Sequence, residues 1–150
     1  MKPLMYRFQK LALSFLYTLT ALLGIDLPPF ASSSAIITNK QGQLLLVDLS
    51  YKKGYALPGG LLQANETFTQ GLLREIKEET NLDVKVGSLL GIYKATTDFP
   101  TVNLVYKAEL VSERIVNSDE GIVSWQKPSE VINKIAYSDN QEAIKDYFKL

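Results

Sequence analysis

Three carboxylates carry the chemistry this chain could do. Glu75, Glu78 and Glu79 stand at positions i, i+3 and i+4 of the segment Arg74-Glu75-Ile76-Lys77-Glu78-Glu79-Thr80-Asn81-Leu82. On a helix these positions share one flank. Like charges side by side repel and weaken an isolated helix, so the arrangement makes sense if a strongly positive group sits beside it. A divalent cation with oxygen ligands is the obvious candidate. Glu-rich helices are commonly plain solvated faces, and the acids by themselves fit that reading. The wider spacing argues against it. Pro58-Gly59-Gly60 precedes the segment, Glu66 stands near its start and Arg74 lies inside it. A solvated face requires neither a Gly-Gly turn nor an Arg at a fixed offset from an acid.

Composition narrows the chemistry further. The chain has no His and no Cys. That excludes Ser-His and Cys-His nucleophilic catalysis, thiolate zinc sites, redox disulfides and His-bound transition metals. Proton transfer falls to carboxylates, Lys, Tyr or a metal-bound water. A hard cation held by Glu oxygens is favoured, Mg2+ first and Mn2+ second. Lys plus Arg equals Asp plus Glu at 16 each, so no basic excess points to a nucleic-acid partner. With 150 residues, 46% of them apolar, the chain is long enough for one globular domain with an ample core.

The stretch from Gly60 to Leu82 resembles the Nudix box: Gly, five residues, Glu, seven residues, Arg-Glu, an aliphatic residue, any residue, Glu-Glu, any residue, Gly, an aliphatic residue. Gly60, Glu66, Arg74, Glu75, Ile76, Glu78, Glu79 and Leu82 match, and Asn81 stands where the family has Gly. That Gly ends the helix in a left-handed conformation, which Asn tolerates best after Gly. Gly71, where Ala is more usual, should cost the helix about 1 kcal/mol and touch no chemical group. The resemblance implies that Glu75, Glu78 and Glu79 hold Mg2+ together with the main-chain carbonyl of Gly59. It implies that Arg74 pairs with Glu66 and Glu78 to orient the acids, with Glu66, like Gly60, Ile76 and Leu82, in a structural part. A plain surface salt bridge is the alternative for Arg74. In many family members a further acid, ahead of a strand with a Trp, takes the proton from the attacking water. Glu120, before Ile122-Val123-Ser124-Trp125, resembles it, although an ordinary acidic loop fits equally. Glu78 or Glu79 could serve instead. Trp125 itself reads as core packing.

These residues need elements to position them. The box helix should run from about Thr67 to Thr80, with Leu72, Leu73, Ile76 and Thr69 facing the core and the glutamates about a quarter turn away. Ala35 to Thr38 and Gln43 to Leu49 read as strands around the turn Asn39-Lys40-Gln41-Gly42. Tyr55-Ala56-Leu57 leads into the glycine turn. Val84 to Ala95 and Val102 to Leu110 read as two longer strands and Ile122 to Gln126 as a last one. Pro128 to Lys134 is a short helix start, and Ser138-Asp139-Asn140-Gln141 is an N-cap signature for a terminal helix to about Phe148. The fold expected is mixed α and β, a Nudix fold with a mixed sheet between helices. The domain is placed at 31–150, preceded by an amphipathic helix and Pro-rich linker at 1–30.

That first helix has sides. Leu4, Phe8, Leu11, Phe15, Leu19 and Leu22 form one stripe, widened by Met5, Ala12, Leu16 and Leu23; Arg7, Lys10, Ser14, Thr18 and Ala21 lie opposite. Gly24 and Pro28-Pro29 end it. Leu11 to Ile25 carries no charge but is shorter than the roughly 20 residues a membrane span needs. The first reading is a helix packed on the domain or on the mate in a homodimer. A helix on a membrane surface, through residues 3–23, comes second, and a signal or anchor third. The chain is accordingly placed in the cytoplasm, free or at a membrane surface.

The residues and the resemblance together imply a Mg2+-dependent pyrophosphohydrolase cleaving a diphosphate linkage in a nucleoside diphosphate derivative. A Nudix-fold module that binds a nucleotide without turning it over is the alternative, and the presence of every box acid argues against it. Tyr55, Tyr93, Phe99 and Asn103 could line a pocket for the attached group, against packing roles for each. Nothing in the sequence marks one derivative over another.

Overall fold

The computed structural model describes residues 2–49, 54–95, 99–111 and 122–150. Its elements in chain order are α1 (Lys2–Leu22), β1 (Phe30–Ile37), β2 (Leu44–Leu49), β3 (Gly54–Ala56), β4 (Gly59–Leu61), α2 (Phe68–Thr80), β5 (Val84–Ala95), β6 (Thr101–Leu110), β7 (Ile122–Gln126), α3 (Pro128–Val131) and α4 (Ser138–Phe148). Strand alternation builds the core from two sides. Successive side chains of a strand point to opposite faces. Ile36, Leu44 and Leu46 therefore join Leu57, Val105 and the α4 residues Ala143 and Ile144. Their neighbours Ala35, Ile37 and Leu45 join Leu72 and Ile76 of α2. The strands lie between the two helices, as the resemblance implied.

The mixed sheet has the order β4-β1-β6-β5, and a second sheet runs β3-β2-β7. In the first, β1 is parallel to β6 and antiparallel to β4. The pairing of β1 with β4 sets Ser33 opposite Gly60 and Ser34 opposite Gly59, which fixes the glycine turn against a central strand. The sequence reading began this strand at Ala35. It begins at Phe30, and Ser32, Ser33 and Ser34 are all buried. Three serines carry no apolar signal; their hydroxyls are satisfied inside, Ser33 Oγ donating to the Phe68 carbonyl at 3.0 Å.

Helix α2 departs from the expected stripe. Leu72, Ile76 and Thr80 are fully buried, whereas Leu73 is 42% exposed and Thr69 is exposed too. Positions 72, 76 and 80 repeat at i+4 and make a narrower seam than the sequence suggested. Burying Leu72 and Ile76 contributes about 2–3 kcal/mol each. The last helix starts where expected but not through the expected cap. Tyr137 precedes it without a side-chain cap bond, and Asp139 and Asn140 turn into the core instead.

Helix α1 does not lay its stripe on the domain. Leu11, Phe15, Leu19, Leu22 and Leu23 are exposed, and the half-buried side is Leu13, Ser14, Tyr17 and Thr20. The Tyr17 ring packs against Phe30 and Phe99 at 5.5 and 6.4 Å between centroids, and its hydroxyl donates to the Pro28 carbonyl. The packed side is therefore the one Tyr17 marks, away from the leucine stripe. Among the described residues no helix is long and apolar enough to cross a membrane.

Candidate active site

The acidic flank is held in register from both ends of α2. Thr67 caps the N-terminus, accepting from the Gln70 N–H at 3.3 Å, while Gln70 Oε1 accepts from the Thr67 N–H at 2.9 Å. Reciprocal capping of this kind satisfies two amide donors the helix cannot pair itself. At the other end Asn81 adopts φ 55° and donates its N–H to the Lys77 carbonyl at 3.0 Å. The left-handed cap survives the change from Gly to Asn.

The glycine turn meets this flank directly. Gly59 has φ 144°, and a Cβ there would collide with the backbone of Ser33 and Ser34. Only glycine fits that approach. Its N–H donates to Glu79 Oε2 at 3.0 Å. A Cβ on Gly60 would lie 2.6 Å from Glu75 Cδ, so the absent side chain is the space that the Glu75 carboxylate fills. Gly71 also touches a chemical group, against expectation: a Cβ there would lie 3.1 Å from Glu66 Oε2.

Arg74 ties the acids together. Its Nε and one terminal nitrogen donate to the two oxygens of Glu66 at 2.6 and 2.9 Å. The other terminal nitrogen donates to Glu75 at 2.7 Å and Glu78 at 3.4 Å, and the guanidinium also reaches the Leu61 carbonyl at 3.2 Å. The sequence reading paired Arg74 with Glu66 and Glu78; the bond to Glu75 is additional. Two-pronged charge-assisted bonds fix the position of a carboxylate as well as stabilise it. The Arg74 hydrogen bond holds the Glu66 carboxyl down at about 2. Burial pushes the Glu75 carboxyl above the usual range, with Arg74 opposing the shift. Glu66 raises the Arg74 guanidinium above its ordinary value in return.

The donors fit a hard cation by type, since Glu75, Glu78 and Glu79 offer carboxylate oxygens from one flank of α2 and two of them already share Arg74 as a positive partner. Among the described residues no three acids close around a single point. Arg74 draws Glu75 and Glu78, and Gly59 draws Glu79.

Comparison with known proteins decides the family. The NUDIX domain family matches residues 28–147. The chain belongs to the Nudix family. A "MutT-like protein" of Streptomyces ambofaciens is 36% identical over 113 residues, 73% of this chain and 72% of that protein. An "ADP-ribose pyrophosphatase" of Methanocaldococcus jannaschii is 31% identical over 119 residues, 75% of this chain and 70% of that protein. Among solved structures, the MutT protein of Methanosarcina mazei Go1 superposes with a TM-score of 0.70 at 22% identity, over 83% of this chain and 96% of that one. A NUDIX hydrolase of Nitrosomonas europaea superposes with a TM-score of 0.71 at 21% identity, over 81% and 90%. The chain is a Nudix hydrolase with the family's fold.

Within this Nudix domain, Ile76 and Leu82 are buried in the core beneath the acids. Glu120 lies outside the described residues. Of the four residues considered for the substrate's attached group, Tyr93 is buried and its hydroxyl donates to Asp146 at 3.0 Å. Phe99 is buried against Phe30 at 5.0 Å, and Tyr55 packs half-buried on the α4 side of the core. Asn103 enters a buried polar network that the sequence did not reveal. It donates to Ser34 Oγ at 2.9 Å and Asp139 Oδ2 at 2.7 Å. Asn140 donates to the same Asp139 oxygen at 3.1 Å and accepts from the Leu57 N–H at 2.9 Å. The network thus reaches the residues leading into the glycine turn. Its one sequence signal was the polar run Ser138 to Gln141, which equally described an exposed helix cap.

Proposed function

We propose that this Nudix hydrolase cleaves a diphosphate linkage in a nucleoside diphosphate derivative, with Mg2+ bound by Glu75, Glu78 and Glu79. The observation that carries the reading is the contact of two elements: the flank of α2 bearing the acids, and the glycine turn whose Gly60 leaves room for Glu75 and whose Gly59 N–H holds Glu79. A bound Mg2+ would neutralise phosphate charge and lower the pKa of a water. The chain's own residues do the rest. Arg74 holds Glu75 and Glu78 side by side by sharing one guanidinium nitrogen between them. Glu66 anchors that guanidinium from the side away from the acids' task and so acts as a positioning residue. The main-chain carbonyl of Gly59 is the expected further ligand. Glu120 is the proposed acceptor of the water's proton, with Glu78 or Glu79 in its place if Glu120 does not serve. The substrate class is supported by relatives named for ADP-ribose and for 8-oxo-dGTP.

The test is a panel of nucleoside diphosphate derivatives with Mg2+, scored by phosphate release after phosphatase coupling. Turnover of at least one member, abolished in Glu78→Gln without loss of fold, is the expected result. Gln is nearly isosteric but supplies no anion. Binding of a panel member without turnover would favour the nucleotide-binding alternative, and full activity of Glu78→Gln would end the metal-site reading.

A further inference from the structure

We propose that α1 is a docking surface for an anionic lipid bilayer, lying in its plane. Two independent features of the helix lead there. The first is which side it spends on the domain. Tyr17 moors it, through the Phe30 and Phe99 rings and the Pro28 carbonyl, and half-buried Leu13 and Thr20 flank that contact at i−4 and i+3. The leucine stripe is on another side, with Leu11 76%, Phe15 69% and Leu22 79% exposed. Water-facing apolar side chains repeated at i+4, i+8 and i+11 form a continuous strip, which single-residue exposure on ordinary surfaces does not.

The second feature is charge. Lys2, Arg7 and Lys10 are the charged residues of α1, and the first acid after them is Asp26. A purely cationic helix has a complementary partner in an anionic lipid surface, whose potential attracts it while the apolar strip enters the acyl boundary. A second copy of this chain, stacked through the same helix, offers those cations no acid to pair with. Among the described residues no helix, α1 included, is both long and apolar enough to cross the bilayer. The inference rests on α1 alone and is independent of the reading of the acids.

Flotation of the full chain with vesicles tests it. Vesicles of phosphatidylglycerol and phosphatidylcholine should carry the protein, and vesicles of phosphatidylcholine alone should carry it far less. At about fivefold per cation near the surface, three cations give a difference of roughly a hundredfold at low salt, shrinking in high salt. Phe15→Glu with Leu22→Glu should lower binding to the anionic vesicles more than tenfold while circular dichroism and panel turnover stay at the wild-type level. Lys10→Glu, which leaves the strip intact, should lower it about fivefold or more. Absence of wild-type flotation with the anionic vesicles would overturn the proposal. So would a dimer in light scattering that Phe15→Glu with Leu22→Glu dissociates.

Discussion

Replacing Gly60 by Ala tests the placement of Glu75. The added Cβ would lie 2.6 Å from Glu75 Cδ and 2.8 and 2.9 Å from its two oxygens, against ordinary contact at 3.4 Å or more. The carboxylate must therefore retreat by roughly 0.8 Å, and it can, being the far end of a flexible side chain. Retreat lengthens the 2.7 Å bond from Arg74. A hydrogen bond to a charged group contributes about 1.5–3 kcal/mol, and Ala in place of Gly returns about 0.4–1 kcal/mol by restricting the unfolded chain. A net loss of about 1–2 kcal/mol in urea unfolding is expected. The effect on chemistry is larger, because a displacement near 1 Å at a reacting centre lowers rates by about a hundredfold. Mg2+-dependent phosphate release from the best panel substrate is the assay. Gly71→Ala is the matched control: its Cβ would press Glu66 Oε2 at 3.1 Å, but the helix gains about 1 kcal/mol of propensity, so turnover should fall much less. Wild-type turnover in Gly60→Ala would refute the argument that the missing side chain exists to seat Glu75.

Three further outcomes follow from the same structure. Asn81→Val forces a β-branched residue into φ 55° and should destabilise the protein by about 1–2 kcal/mol in urea, whereas Asn81→Gly should be neutral or better. Asn140→Ala strands the buried Leu57 N–H and removes a donor from Asp139, so a loss of about 2–3 kcal/mol is expected, with the glycine turn loosened enough to show in hydrogen exchange at Leu57. Burial, aided by Asp146, pushes the Tyr93 hydroxyl up to about 12. A raised value in the fold means the stabilisation is complete below pH 10, the unfolded value, and is lost as pH rises through 12. The stability advantage of wild type over Tyr93→Phe should therefore shrink across that window by on the order of 2 kcal/mol, measured by urea titration at stepped pH.

What was legible in the sequence was short in range. The i, i+3, i+4 spacing of Glu75, Glu78 and Glu79 defines a helical flank without help from the rest of the chain, because helix geometry is local. So is the cap at Asn81, where the chemistry of one side chain decides the backbone conformation. The box spacing from Gly60 to Leu82 carried the family for the same reason: its positions lie within one turn and one helix. The turn-and-strand pattern of β2, β5, β6 and β7 was readable from alternation and breakers alone.

The tertiary structure decided the rest. That Gly60 makes room for Glu75, and that Asn140 holds Leu57 across 83 positions, depends on β1 pairing with β4 and on α4 closing over the sheet. Ser32 to Ser34 are a central strand only because β6 and β4 flank them; by composition they are a loop. The same holds for α1, whose amphipathic stripe was plain in the sequence while the side turned to the domain was not. One aromatic cluster at Tyr17, Phe30 and Phe99 chose that side, and rings brought together from three separate segments leave no mark in local periodicity.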